Sequence, residues 1–257
     1  MQGKVALVTG ATSGIGRATA VAFARRGARV VVCGRRKAEG QQTVDAIRVA
    51  GSDGFFMPVD VSDEAAVQAL VAATVERYGR LDYAFNNAGY GDAPGPLHSI
   101  ERKDWDHMIA VHLTGTWACM KYEIQQMLPQ GSGVIVNMAS VAGVIGAVGL
   151  SSYVAVKHGI MGLTKTAAVE YAPFGIRINV VGPGGVVTEG LQGLLAMPAV
   201  ANHFTQTHPV NRLGRPEEVA NAVVWLCSDE ASFMTGAAMM IDGGVTAGLN
   251  PFGLAAG

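Results

Sequence analysis

Seven short apolar runs recur along this chain with helical stretches between them, and that rhythm constrains the fold more than any other feature. Lys4–Thr9 is the first run, closed by Gly10; a helix is expected over Gly14–Arg26, a second strand over Val30–Cys33 and a second helix over Lys37–Ala50. The runs are apolar at consecutive positions, as strands covered on both faces must be. Phe55–Val59 follows, with Ser62 as the expected cap of a helix that carries Asp63 and Glu64 in its first turn and stops near Gly79. Leu81–Phe85, Gly133–Asn137, Ile176–Val181 and Met239–Ile241 complete the set. A long helix is expected over Asp104–Met127, and others over Ser152–Tyr171 and Glu217–Cys227. Alternation of this kind implies an α/β class: one domain over 1–257, with a doubly wound parallel sheet of about seven strands flanked by helices.

Ligands of such sheets lie beyond the carboxyl ends of the strands, and the unusual residue clusters of this chain gather there. Segment 189–208 breaks the rhythm. It carries Leu191, Leu194, Leu195, Met197, Val200 and Phe204, too apolar a set for a plain surface loop, and is expected to form a helical lid over the substrate.

Charge narrows the partners. A net charge of -1 and a pI of about 6.6 leave no basic footprint for nucleic acid or an anionic membrane, so small molecules are the expected partners. Cys33, Cys119 and Cys227 are odd in number and far apart, against both a disulfide framework and a zinc site, and a cytoplasmic location is expected. No signal peptide or membrane span is expected, because no run of ~18 apolar residues occurs. His98, His107, His158, His203 and His208 show no metal-ligand spacing and are expected on the surface or in the lid.

Three motifs carry chemistry. In Tyr153-Val154-Ala155-Val156-Lys157, helical spacing puts the phenol and the ammonium one turn apart on one face. A phenol normally titrates near ~10, and a cation about 4 Å away is worth roughly 4 kcal/mol at an effective dielectric of ~20, a drop of about three pKa units. Tyr153 is therefore expected to titrate near working pH, as a general acid for a carbonyl oxygen should. Thr9-Gly10-Ala11-Thr12-Ser13-Gly14-Ile15-Gly16 sits between the first strand and first helix, where glycines let backbone amides approach a pyrophosphate. Taken alone, it also fits a plain strand-helix turn. At the end of the second strand, where an acidic residue would bond the ribose of NAD, the chain reads Gly34-Arg35-Arg36. With no carboxylate there to repel a phosphate, the arginines point to NADP(H), favoured by roughly ten- to a hundredfold; solvated surface charge is the plainer alternative. Ser140, in Met138-Ala139-Ser140-Val141-Ala142, lacks the flanking glycines of a hydrolase nucleophile elbow.

In this order the motifs resemble those of the short-chain dehydrogenase/reductase family, in its ordinary-length branch, from Lys4 to about Gly244. Asp60-Val61 is similar to the family's adenine contact and Asn86-Asn87-Ala88-Gly89 to its turn beside the adenosine ribose. Pro183-Gly184, with Val186 and Thr188, resembles the nicotinamide-holding turn, and Asp242-Gly243-Gly244 the carboxyl-terminal signature. The resemblance implies a Rossmann fold and usually a homotetramer, to which Pro251, Phe252 and Leu254 could supply interface. It implies that Tyr153 donates or accepts the proton and that Ser140 polarises the substrate carbonyl. Lys157 lowers the tyrosine pKa and holds the nicotinamide ribose.

One position departs from the pattern. Where family members commonly carry asparagine, holding a water that continues the proton path to the lysine, this chain reads Val111-His112-Leu113-Thr114-Gly115. Neutral His112 could hold such a water, could protonate in the ~6–7 range, or could be a packed helix histidine. The expected activity is NADPH-dependent, reversible reduction of a ketone or aldehyde. The expected pocket lining is mostly apolar: Tyr90, Gly91, Asp92, Val141, Val144, Ile145, Leu150 and Gly185 to Val187. The rival reading is a dinucleotide-binding regulatory or scaffold protein that has lost turnover.

Overall fold

The computed structural model describes residues 1–91 and 94–248. Asp92, Pro251, Phe252 and Leu254, and the side chain of Leu194, lie outside the described set. The described chain forms one seven-stranded sheet in the order β3-β2-β1-β4-β5-β6-β7, parallel throughout. The strands are β1 Val5–Val8, β2 Arg29–Gly34, β3 Gly54–Pro58, β4 Tyr83–Asn86, β5 Gly133–Met138, β6 Ile176–Pro183 and β7 Ala238–Ile241. β1 and β5 are buried at every position, which is why their sequences are apolar without alternation.

Helices cover both faces. On one, α1 (Gly14–Arg25), α2 (Lys37–Val49) and α9 (Pro216–Leu226) bury Ala20, Phe23, Ile47, Val219 and Val223 against β1 and β2. On the other, α3 (Glu64–Tyr78), α5 (Gly115–Gln130) and α6 (Ser151–Tyr171) bury Leu70, Ile124, Met127 and Ala167 against Leu7 and Ile135. At the amino-terminal edge of the sheet Asp82 ties β1 to β4, accepting from the Val5 amide at 2.9 Å and Lys4 Nζ at 3.1 Å. Burial alone would raise its pKa, but the bonds from Arg80, Val5 and Lys4 outweigh that and hold the carboxyl below its ordinary value.

Two expectations are corrected. Asp63, not Ser62, caps α3: its Oδ1 accepts from the Ala65 and Ala66 amides at 3.0 and 3.3 Å, while the Ser62 hydroxyl donates to Asp60 at 2.7 Å. The long helix begins earlier, as α4 (Arg102–Met108), and continues into α5 through a π-helical stretch at Ile109–Thr114 that contains His112. Segment 189–208 holds two short helices, α7 (Glu189–Leu195) and α8 (Pro198–Gln206).

The sheet order reverses between β1 and β4, because the chain winds outward to β3 and then returns to the other side of β1. Connections leave these neighbouring strands in opposite directions, so a crevice opens beyond their carboxyl ends. The glycine turn, the Asn87 loop, Ser140 and the Pro183 turn all follow strands at this end.

Candidate active site

The turn between β1 and α1 is built around missing side chains. Gly10 has φ +62°, and a Cβ there would lie 2.8 Å from the Ala88 Cα; at Gly16 a Cβ would run into the Gly10 carbonyl and the Asn87 amide. Nothing but glycine fits, and the space left free adjoins a groove lined by Gly10, Thr12, Ser13, Arg35, Arg36 and Asp60 among others. Gly14 and Ile15 open α1, whose N-cap Ser13 leaves its side chain free of any capping bond, so the first amides of the helix remain available to an anion. These features fit a dinucleotide.

Asn87 serves the turn itself. Its Nδ2 donates to the Thr9 and Gly10 carbonyls at 3.0 and 3.1 Å, and Thr9 Oγ1 accepts from the Asn87 and Ala88 amides. Loop and turn are thereby locked together. Val61 is buried against the position where a Gly115 Cβ would stand, and the Asp60 carboxylate accepts from the Ser62 amide and hydroxyl. Burial pushes its pKa up, but those bonds and Arg35 outweigh burial and hold it low. Across the groove, Pro183 ends β6, Val186 is buried and Thr188 packs over Gly14.

The arginines are not alone. Arg36 donates to Thr12 Oγ1 at 3.0 Å and Ser13 Oγ at 2.6 Å, as a phosphate-reading cluster would, but its Nη1 also lies 3.5 Å from Glu39 and 3.6 Å from Glu189. Arg35 faces Asp60 at 3.9 Å. The expectation that no carboxylate opposes a phosphate here is therefore corrected: Glu39 stands in the first turn of α2, which Arg36 caps, and the fold delivers Asp60 and Glu189 from other elements.

Ser140 follows β5 and accepts from the Ala142 amide at 3.2 Å, and its hydroxyl is hydrogen-bonded to that of Tyr153. Lys157, one turn along α6, is buried with Nζ 5.2 Å from the centre of the Tyr153 ring and donating to the Met138 carbonyl at 3.1 Å. Spacing brought the three together, but the expected electrostatics are corrected. Burial raises the Tyr153 pKa, only partly offset by the Ser140 bond, and lowers Lys157 to about 7. Desolvation exceeds the attraction that one helical turn supplies.

His112 is buried, its ring edge-on to Tyr153 at 5.8 Å, and its Nε2 accepts from the Tyr90 amide at 3.3 Å. That bond places the proton on Nδ1, which has no partner among the described residues. Burial, and after it the charge of Lys157, pull its pKa down to about 3. Burial thus displaces His112 far below the 6–7 range, and the imidazole packs under the Gly89–Tyr90 loop.

Two buried polar features near the site belong to no motif. His208, the last residue of segment 189–208, is buried: Nε2 accepts from the Gly185 amide at 2.8 Å and Nδ1 bonds the Phe204 carbonyl at 2.7 Å, tying the end of α8 to the turn after β6. Beneath the site, Asn86 Nδ2 bridges Glu123 Oε2 and Asn137 Oδ1, each at 3.0 Å, and Asn137 passes the chain to Thr164 on α6 at 2.9 Å. Helical spacing offers a signal for Glu123, which falls on the face of Met120, Ile124 and Met127. No group of side chains among the described residues could hold a metal ion, and no described helix is long and apolar enough to cross a membrane.

Comparison with known proteins agrees with this geometry. A family model described as enoyl-(acyl carrier protein) reductase matches residues 10–246, and a short chain dehydrogenase/reductase of Aspergillus oryzae, astE, is 42% identical over 250 residues, 96% of each chain. The chain belongs to the short-chain dehydrogenase/reductase family. Cis-4-hydroxycyclohexanecarboxylate dehydrogenase of Sinomonas cyclohexanicum is 44% identical, over 95% of this chain and 97% of its own. Among solved structures, levodione reductase superposes with a TM-score of 0.94 at 37% identity, covering 97% of this chain and 100% of that one. NAD+-bound xylitol dehydrogenase does so with 0.90 at 33%, covering 93% and 98%. This short-chain dehydrogenase/reductase is an oxidoreductase of alcohol and ketone groups with a nicotinamide dinucleotide cofactor.

Proposed function

We propose that the chain is an NADPH-dependent carbonyl reductase, reversible as an alcohol dehydrogenase, acting on a hydrophobic ketone or aldehyde, ring ketones foremost. The observation that carries this reading is the pair of hydrogen-bonded hydroxyls, Ser140 and Tyr153, set beside Lys157 on the same carboxyl-terminal side of the sheet as the glycine turn. Gly10, Gly14, Gly16, Thr12 and Ser13 would hold the phosphates, and Arg35 and Arg36 the adenosine ribose with its 2′-phosphate. When bound, the nicotinamide supplies a hydride to the carbonyl carbon.

Tyr153 gives its phenolic proton to the carbonyl oxygen, while Ser140 donates a hydrogen bond to the same oxygen. Burial that raises the Tyr153 pKa keeps the phenol protonated at neutral pH, which suits reduction. Oxidation asks the same group to lose its proton and gains as pH rises. Lys157, as a cation, stabilises the phenolate left behind, and His112 holds the loop that forms the pocket floor. Val144, Ile145 and Val187 are exposed there, apolar surface suited to a hydrophobic ring and to a lid formed by segment 189–208. The ring alcohol in the name of the Sinomonas relative supports the same substrate class. Exposed Trp117, Val169 and Phe233 offer apolar area for a homotetramer, and three buried free thiols suit a cytoplasmic setting.

The test is kcat/KM for cyclic, aromatic and aliphatic ketones with each cofactor, followed at the reduced-nicotinamide absorbance. NADPH should be preferred by about tenfold, the value of one charge-assisted hydrogen bond to the phosphate, with cyclic ketones turned over fastest. A preference for NADH removes the cofactor assignment. Silence on every ketone, with cofactor bound, favours the non-catalytic reading.

A further inference from the structure

The carboxylates around Arg36 are not equivalent. Glu39 lies three residues along the chain, in the first turn of α2, so the helix keeps it near Arg36 whatever is bound. Glu189 comes from the far side of the groove, where it opens α7 directly after Thr188 has crossed Gly14. One of its oxygens lies 3.6 Å from Arg36 Nη1 and the other 3.7 Å from Arg17 Nη1. Arg17 is anchored independently, donating to the Thr12 carbonyl at 2.6 Å and to Thr43 Oγ1 at 3.1 Å. Glu189 thus reaches across the glycine turn from segment 189–208 to the one guanidinium that also holds the Thr12 and Ser13 hydroxyls.

We propose that Glu189 is a specificity-determining residue: it competes with the cofactor's 2′-phosphate for Arg36 and so sets how strongly this enzyme favours NADP(H) over NAD(H). The proposal rests on the assignment of Arg36 as the reader of the adenosine ribose. A phosphate of charge roughly −2 brought to Arg36 must displace the Glu189 carboxylate or meet its repulsion, whereas a ribose hydroxyl does neither. Once displaced, Glu189 no longer ties the start of α7 to the turn, so the 2′-phosphate is felt in the segment that flanks the substrate pocket. Glu189 and Arg36 are both nearly half exposed, at 47% and 45%, so water screens the pair and the effect is a matter of a few-fold.

Calorimetric titration of the full chain with adenosine 2′,5′-bisphosphate and with 5′-AMP, at about 50 mM salt, tests this. Both probes carry the 5′-phosphate, so a change at the glycine turn moves both alike; repeating the titrations at about 300 mM salt removes the general charge effect, which favours the doubly phosphorylated probe. Glu189→Gln should bind the bisphosphate about three- to tenfold more tightly than the wild type and 5′-AMP within about twofold, with an unchanged Tm. Equal gains for the two probes, or no gain for the bisphosphate, overturn the proposal. The reading of the wild type as NADPH-dependent is tested separately by its turnover with the two cofactors, and can fail while the probe comparison still decides the role of Glu189.

Discussion

Burial lowers the Lys157 ammonium to about 7, so the positive charge near Tyr153 is lost as pH rises past neutrality. The rate of reduction should therefore stay level below about 7 and fall above it, since Tyr153 parts with its proton less readily without a cation to receive the phenolate charge. His112, held at about 3, contributes no inflection. A pH profile of kcat/KM for ketone reduction should show the Lys157 limb in both the wild type and His112→Asn, unmoved by the substitution. An inflection between 6 and 7 that vanished in the variant would make His112 a titrating group after all. At this scale the sequence reveals proximity but not electrostatics: four residues of helix suffice to put Tyr153 beside Lys157, whereas the sign of the Tyr153 shift depends on how much water the fold removes. The same holds for Arg36, whose partner Glu189 is far away in the chain and near only after folding.

Among the elements, α5 carries the least expected group. Glu123 is fully buried, its one partner among the described residues is the Asn86 amide, and burial pushes its pKa up to about 8. Protonated Glu123 is what the folded chain tolerates. An unfolded chain releases that proton near 4.5, so between about 4.5 and about 8 the folded state binds more protons and unfolding becomes easier as pH rises. Glu123→Gln keeps the shape and removes the titration. Denaturant unfolding should show the variant gaining on the wild type across that window, by roughly 5 kcal/mol at the upper limit, and level with it near pH 4. A gap that does not change with pH would mean that Glu123 is not protonated in the fold. The strands were legible because covered strands must be apolar throughout, as in Val5–Val8 and Gly133–Met138. The cap of α3 was not, since Ser62 and Asp63 are both good caps and only the path of the chain after Asp60 decides between them.

For the molecule as a whole, the site is a consequence of strand order. Because β1 lies between β2 and β4, the turn after β1, the loop after β4 and the Ser140 segment after β5 face one crevice, and the first turns of α6 bring Tyr153 and Lys157 beside Ser140. Motif order along the chain encodes that convergence, whereas the anchor of segment 189–208 at His208 depends on contacts between residues that no motif links. Reduction depends above all on the Tyr153 hydroxyl giving a proton to the carbonyl oxygen. The direct test is single-turnover reduction of a cyclic ketone by Tyr153→Phe under saturating NADPH, with cofactor binding measured on the same sample. Cofactor affinity should stay within about threefold of the wild type and the rate should fall by at least ~10²-fold, the usual contribution of a positioned general acid; a variant that binds NADPH and reduces the ketone at a rate close to the wild type would contradict a proton-donating role for Tyr153.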